Sequence, residues 1–239
     1  MLIRTLEPEV MDTADEAAEY DAMDHSVVNR VFVDDLLSFS QRHNVRGTVL
    51  DLGTGTALIP LVLVGQSRDL SPVLACDLSF EMLKLARHHI SRQQLSDSIL
   101  PVFSDCKRLP VAEASCDVVM SNSIIHHIPE PLDVFREIRR VIRPGGLVFV
   151  RDLMRPQSND DVESLVQMYA GNESTVQKQL FRQSLHAALT VEEVDRLAAQ
   201  AGLPQGCVAA TSDRHWTLAC VACSSQGGSQ DDSAHHGGA

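Results

Sequence analysis

The spacing of apolar residues divides the chain into an N-terminal helical part and a longer part in which strands and helices alternate. Up to about Asn44 the sequence is acidic, and apolar positions from Val28 to Phe39 recur at the three- and four-residue intervals of an amphipathic helix. Ser26 stands directly before this series and is expected to cap the helix. We therefore predict an N-terminal helical cap over residues 1–44.

From Thr48 onward, apolar runs of strand length alternate with amphipathic helical stretches. Five runs are predicted as strands, at 48–52, 73–77, 99–103, 117–120 and 147–150. Ser79 is expected to cap the helix that follows the second run, and another helix is predicted over 132–142. Alternation of this kind indicates a mostly parallel sheet wrapped by helices.

After Asp152 a polar stretch interrupts the alternation, and we predict a helical insertion over 152–189. Thr190 and Glu193 have the spacing of a capping box, and Gly202 is expected to end the helix that they open. Two closing strands, 206–210 and 215–222, then complete an α/β domain over 45–223. Residues 224–239 are rich in Gly, Ser, Gln, Asp and His and lack apolar residues that could anchor them, so a disordered tail is predicted there.

The charge of the chain narrows the choice of partners. Its formal net charge is −12 over 239 residues, and an acidic surface repels phosphate backbones and anionic lipids. No apolar run reaches the length of a membrane span, and the first residues lack the basic start and apolar core of a signal peptide. We therefore expect a cytoplasmic protein with a small-molecule partner, and neither nucleic acid nor membrane.

The cysteines and the adjacent histidines give no metal-binding pattern. Cys220 and Cys223 form a C-x-x-C sequence inside a run predicted as a strand, where positions three apart face opposite sides of the sheet. The side chains of His126 and His127 are likewise expected to diverge on regular structure. We therefore predict no metal site.

Candidate ligand-binding residues follow three neighbouring strands. The first strand ends in Asp51-Leu-Gly53-Thr-Gly55, and glycines at a strand-to-helix turn let the backbone approach a ligand closely. Asp77 ends the second strand, at the spacing where such folds place an acid on ribose hydroxyls, and Asp105 follows the third. Because parallel strands bind ligands at their carboxyl ends, Asp51, Asp77 and Asp105 are expected to converge there.

The order of these segments resembles that of class I S-adenosylmethionine-dependent methyltransferases, most closely the small-molecule group that includes quinone-biosynthesis methyltransferases. The likeness covers roughly residues 45–152 and rests on VLDLGTG at 49–55, CDLS at 76–79, SD at 104–105, LP at 109–110, DVVMS at 117–121, His126-His127, and RVIRPGG at 140–146. Dinucleotide dehydrogenases do not share the Pro-Gly-Gly turn that is expected before strand five.

The resemblance implies a Rossmann-like, mostly parallel seven-stranded sheet with helices on both faces, and S-adenosyl-L-methionine as cofactor. Cofactor-binding roles would fall to residues around the strand ends: Asp51, Gly53 and Gly55 near the methionine portion, Asp77 and Leu78 at the ribose, Asp105 and Cys106 at the adenine, and Ser121, Asn122 and Tyr20 lining the site. One departure is Ala57, where many relatives have a third glycine.

The candidates for catalysis are less specific. His126 follows strand four on the side where a methyl acceptor would lie, and an imidazole can act as a general base near neutral pH. His25 and Arg151 are further candidates, each with a structural alternative. Our hypothesis is methyl transfer to a small molecule by in-line displacement. A non-catalytic S-adenosylmethionine-binding module and a nicotinamide-dependent oxidoreductase are the alternatives.

Overall fold

The computed structural model describes residues 2–7 and 13–223, and within them one seven-stranded sheet forms the centre of the fold. The sheet has the order β3-β2-β1-β4-β5-β7-β6. Its first five strands are parallel, whereas β7 runs antiparallel to both β5 and β6. This confirms the predicted mostly parallel sheet. The strands are β1 (Val49–Leu52), β2 (Val73–Asp77), β3 (Ile99–Phe103), β4 (Cys116–Asn122), β5 (Ile142–Leu153), β6 (Val208–Ala210) and β7 (His215–Val221).

Helices cover both faces of the sheet, because residues along each central strand alternate between two apolar cores. In β4, Val118 and Met120 join the core on one face, while Val119 joins the core on the other. The first core includes α2, α3 and α4, and the second includes α5 and α8. The helices are α1 (Ala14–Asp21), α2 (Ser26–His43), α3 (Leu58–Gln66), α4 (Phe80–Arg92), α5 (Leu132–Val141), α6 (Asn159–Ala170), α7 (Thr175–Ala187) and α8 (Val191–Gln200).

The predicted helix caps are confirmed in two places and wrong in one. The Ser79 hydroxyl accepts the N–H of Met82, and Thr190 forms the expected capping box with Glu193. Ser26, however, is the first residue of α2, and its side chain makes no cap. The carboxylate of Asp24 accepts the Ser26 N–H instead, over 2.9 Å, and so satisfies one of the exposed donors at that helix start.

The Pro-Gly-Gly segment lies inside β5 and not before it. Pairing with β4 shifts register between Cys116 and Val118, which accommodates the segment, and Gly145 has a φ of 78°. Gly146 has no room for a side chain, since a Cβ there would lie 2.9 Å from the carbonyl oxygen of Asp117. The Pro-Gly-Gly segment is therefore a local irregularity in β5, and the pairing of β5 with β4 shifts register beside it.

The N-terminal segment 2–7 lies against the insertion that follows β5. Helices α6 and α7 form it, and they pack through a small apolar core against which Leu2 also lies. The guanidinium of Arg4 donates to the carbonyl oxygens of His126, Ile128 and Ala187, so segment 2–7 is held beside the turn that follows β4. Residues 224–239, for which a tail was predicted, lie outside the described residues. The proposed boundaries at 44, 152 and 189 remain predictions.

Both edges of the sheet are short or interrupted. Strand β3 carries Pro101, which has no N–H, and β6 is three residues long. Among the described residues, no helix combines the length and the apolar character needed to cross a bilayer.

Candidate functional site

A cleft opens at the carboxyl ends of β1, β2, β3 and β4. It encloses about 790 Å³ of non-protein space when its open mouth is counted. Most of the residues predicted to bind the cofactor line it: Tyr20, Gly53, Gly55, Asp77, Leu78, Asp105, Cys106 and Asn122. The topology brings these residues together because β1 lies between β2 and β4, so loops leaving on either side face one another.

The turn after β1 needs glycine at Gly53 for two reasons. Its φ is 67°, and a Cβ would lie 2.1 Å from a methyl carbon of Ile124. Gly55 has a φ of 56° but more room, since a Cβ would meet the Tyr20 ring at 3.5 Å. Ala57, at the start of α3, is a third left-handed residue with a φ of 63°, so the alanine there adopts the backbone that a glycine would adopt more easily.

Asp77 connects the turn after β1 to the start of α4. One carboxylate oxygen accepts the Gly55 N–H over 2.7 Å, and the other accepts the Ser79 N–H over 2.8 Å. Burial raises the pKa of Asp77, although these two hydrogen bonds favour the charged form. The carboxylate is therefore held in place by backbone donors, and its remaining lone-pair capacity faces the cleft.

Asp51 lies beneath the turn and does not line the cleft. Asp51 is 3% exposed, and burial raises its pKa to about 7, with the nearby Thr54 hydroxyl opposing the effect and the charge of Asp77 adding to it. Near neutral pH this group is therefore close to its titration midpoint. A cation placed above it would favour the ionised form.

The remaining predicted cofactor residues differ in how they meet the cleft. The backbone N–H of Lys107 and its ammonium group both approach the Asp105 carboxylate, at 2.8 and 3.1 Å. Asn122 lines the cleft, whereas the Ser121 hydroxyl is buried and donates to the Leu52 carbonyl over 2.9 Å. Ser121 thus joins β4 to β1 and contributes no side-chain atom to the lining.

Helix α1 places Tyr20 over the turn after β1. The Tyr20 ring stacks on His25, with ring centroids 4.7 Å apart, and burial together with Asp77 and Asp51 raises the pKa of the phenol to about 12. The phenol therefore stays neutral and can donate a hydrogen bond. A hydrogen bond between the His89 ring and the Asp21 carboxylate at 2.9 Å fixes α1 against α4, so the helix forms one wall of the cleft.

These features fit an adenosyl-sulfonium ligand. The glycine turn exposes backbone at Gly53 and Gly55, and the lone pairs left on Asp77 match a vicinal diol. Asp105 and the Cys106 backbone lie further along the same cleft, where a flat heterocycle would reach them. The lining carries Asp77 and Asp105 as acids, and a cationic ligand suits such a lining better than a phosphorylated one.

His126 lies behind the wall of the cleft, between two carboxylates. Its Nδ1 is 2.5 Å from Oδ1 of Asp152, and its Nε2 is 3.5 Å from Oε1 of Glu7. The other oxygen of Asp152 accepts the Ile125 N–H over 2.5 Å. Burial lowers the pKa of His126, but the charge and hydrogen bond of Asp152 and the charge of Glu7 outweigh it, so the pKa is raised. The same pairing lowers the pKa of Asp152 despite its burial.

The two adjacent histidines do not diverge, so that prediction was wrong. They belong to a 3₁₀ turn (Ile125–His127), which is neither a strand nor an α-helix, and their ring centroids are 4.1 Å apart at an angle of 34°. His127 lines the cleft, whereas His126 is 4% exposed and is not part of the lining. Sequence reasoning missed Glu7, because nothing in the pattern of segment 2–7 connects it with a turn more than a hundred residues later.

Arg151, a candidate for catalysis, links helices to the sheet instead of lining the cleft. Its guanidinium forms an ion pair with Asp35 at 2.7 Å, donates to the Thr217 hydroxyl at 2.9 Å and lies over the rings of Phe32 and Phe149. His25 is the residue before α2 and stacks on Tyr20. Both placements are accounted for by packing.

Comparison with protein families and curated proteins gives consistent results. Residues 50–150 match a family described as a methyltransferase domain. The chain is 32% identical over 161 residues to the malonyl-[acyl-carrier protein] O-methyltransferase of Marinomonas sp. (strain MWYL1), covering 66% of this chain and 56% of that protein. It is 28% identical over 152 residues to the ubiquinone/menaquinone biosynthesis C-methyltransferase UbiE of Azotobacter vinelandii, covering 59% and 57%. The chain thus spans little more than half the length of these relatives.

Solved structures show the same fold. A SAM-dependent methyltransferase from Aquifex aeolicus matches with a TM-score of 0.64, covering 87% of this chain and 97% of that one. Sequence identity in this match is 18%, so the likeness concerns the architecture.

Proposed function

We propose that this chain is a class I S-adenosylmethionine-dependent methyltransferase that transfers a methyl group from S-adenosyl-L-methionine to a small molecule. The observation that carries the proposal is the cleft in which Gly53, Gly55, Asp77 and Asp105 meet at the ends of three neighbouring strands. The comparisons support this reading and not a nicotinamide-dependent oxidoreductase. The proposal includes a cytoplasmic location, which fractionation of producing cells tests.

The protein's contribution to the reaction is binding and alignment. The cofactor supplies a methyl group already activated by the sulfonium charge, so an acceptor held in line with it can react without a nucleophilic side chain. Asp77 would hold the ribose, Asp105 the adenine amino group, and Asp51 the ammonium of the methionine portion. Tyr20 would cover the ligand from α1 and exclude water.

The acceptor is expected on the side of the cleft formed by the turn after β4. His127 and Ile128 line the cleft there, whereas His126 is turned toward Asp152 and Glu7. We therefore place His127 nearer to an acceptor than His126. The two named relatives methylate oxygen and carbon respectively, so the accepting atom is left to experiment.

Two measurements test the proposal. Calorimetric titration of the full-length protein with S-adenosyl-L-methionine and with NAD⁺ should show one-to-one binding of the first and none of the second. Incubation with methyl-labelled cofactor and a metabolite extract should then transfer label to a small molecule. Binding without any transfer would indicate a non-catalytic module, and absence of binding would remove the proposal altogether.

A further inference from the structure

Three potential metal ligands from two distant segments converge behind the wall of the cleft. Oε1 of Glu7 lies 3.5 Å from Nε2 of His126 and 3.1 Å from Nδ1 of His127, and all three atoms lie within 4.8 Å of one another. A tetrahedral Zn²⁺ with ligand bonds of about 2.1 Å separates its ligand atoms by about 3.4 Å. The distances from Oε1 of Glu7 to the two imidazole nitrogens, 3.5 and 3.1 Å, lie just above and just below that value.

The second ring nitrogen of His126 has the partner that metal-bound histidines usually have. Nδ1 of His126 is hydrogen-bonded to the buried carboxylate of Asp152, whose other oxygen accepts the Ile125 N–H. A carboxylate that receives the proton of one ring nitrogen fixes the tautomer and directs the lone pair of the other nitrogen toward a metal. In this tautomer the lone pair at Nε2 faces Glu7.

A buried carboxylate oxygen of Glu7 lies close to Nε2 of His126. The Glu7 side chain is 7% exposed, and Oε1 makes no hydrogen bond within the described part of the chain, whereas Oε2 accepts the Ser184 hydroxyl over 3.1 Å. A buried carboxylate oxygen with no donor carries a desolvation cost that a cation would offset. When Nε2 of His126 carries no proton, its lone pair and those of Glu7 Oε1 face each other at 3.5 Å.

We propose that Glu7, His126 and His127 bind one first-row divalent cation of the Zn²⁺ type, with Asp152 orienting His126. Two imidazoles and one carboxylate suit such an ion and leave at least one coordination position for water or another ligand. Because Glu7 belongs to segment 2–7 and His127 lines the cleft, the ion would tie that segment to the wall of the cleft.

A proton on Nε2 of His126 would also place a positive charge beside the Glu7 carboxylate, so the experiment must distinguish protonation from metal binding. Full-length protein without an affinity tag is treated with a chelator, desalted and titrated with Zn²⁺ by calorimetry at fixed pH, with bound metal counted by elemental analysis. The variants are Glu7→Gln, His127→Ala and Asp152→Asn. The matched control is His88→Ala, taken from another adjacent histidine pair, which is on helix α4 with rings 5.9 Å apart.

The expected result is one Zn²⁺ per chain, bound at least ten times more weakly by Glu7→Gln and His127→Ala. Asp152→Asn should weaken binding 10- to 100-fold, as outer-shell carboxylates do, and His88→Ala should bind as the wild type does. Co²⁺ in the same site should give a visible absorption band that His127→Ala alters, provided that circular dichroism shows each variant folded. Two results would overturn the proposal. One is the absence of one-to-one Zn²⁺ uptake, which would leave a proton on Nε2 of His126 as the only cation there. The other is equal Zn²⁺ affinity in wild type, Glu7→Gln and His127→Ala.

Exchange of backbone amide hydrogens gives a readout independent of metal counting. The Thr5 N–H donates to the His186 carbonyl over 3.1 Å and reports how firmly segment 2–7 is held. Zn²⁺ should slow exchange of this amide in the wild type and leave it unchanged in Glu7→Gln. Slowing of the same size in both proteins would show that the ion binds elsewhere.

Discussion

Replacing Asp51 by asparagine should make the unliganded protein more stable at alkaline pH. Burial raises the pKa of this carboxyl from 3.8 to about 7, so the folded state retains a proton that the unfolded state has lost across the pH range between those values. The stability contributed by Asp51 is therefore complete below its unfolded pKa and falls as pH rises to the folded pKa. Asparagine does not ionise, so it avoids the loss.

The size of the effect follows from the shift. A difference of roughly three pKa units corresponds to about 4 kcal/mol, which relaxation of the charged state would reduce to about 2–4 kcal/mol. At about pH 5 the unfolded carboxyl is already mostly ionised, so the two proteins should still differ by about 1–2 kcal/mol, less than at pH 8.

Urea unfolding at about pH 5 and pH 8 measures both values, with Asp97→Asn as the control because this exposed aspartate precedes β3 and carries the same charge. The variant should also bind S-adenosyl-L-methionine more weakly, since it offers no negative charge to the cofactor's ammonium. If the stability of wild type and Asp51→Asn changes in parallel from pH 5 to pH 8, the buried carboxyl is not the source and the reasoning fails.

Three further predictions concern single positions. Asp77→Ala should raise the Kd for S-adenosyl-L-methionine about 5- to 150-fold, equivalent to about 1–3 kcal/mol, and unchanged affinity by calorimetry would remove Asp77 from the site. Gly53→Ala should destabilise the fold by about 2–5 kcal/mol in urea unfolding, because it combines a left-handed φ with a clash against Ile124. Partial recovery of stability in the double variant Gly53→Ala/Ile124→Ala would identify the clash as a cause. A wild-type unfolding midpoint for Gly53→Ala would contradict the prediction. Arg151→Ala should lose about 1–2 kcal/mol of stability, because the variant loses the Thr217 hydrogen bond and the ring contacts, while the ion pair with the exposed Asp35 contributes little. The variant should keep the wild-type kcat. A large fall in kcat with normal stability would make Arg151 a catalytic candidate again.

The sequence was most informative where function depends on strand ends. Strand length and apolar alternation placed Gly53, Asp77 and Asp105 after neighbouring strands, and the parallel order of those strands then brings them together without further information. The glycine turn was recognisable because a positive φ and close packing both exclude most other residues. Requirements of this kind involve residues that are close together in the sequence, so they can be recognised without knowledge of the fold.

Contacts between distant segments were not predictable in the same way. Glu7 lies beside His126 because segment 2–7 is held in place, in part by Arg4 bonds to four carbonyl oxygens, and such carbonyls carry no side-chain signal. The rings of His126 and His127 come together because the chain forms a 3₁₀ turn after β4, whereas the pattern suggested regular structure. Ser121 was expected to line the site, yet the alternation along β4 directs its hydroxyl to β1.

Pro101 and the brevity of β6 limit how copies of this protein can associate. A long, regular outer strand invites another chain to extend the sheet, which is a common beginning of aggregation. Here one flank lacks a donor at its centre and the other is too short to guide a partner. Addition of another strand is therefore disfavoured at both edges of the central sheet, so self-association through sheet extension is not expected.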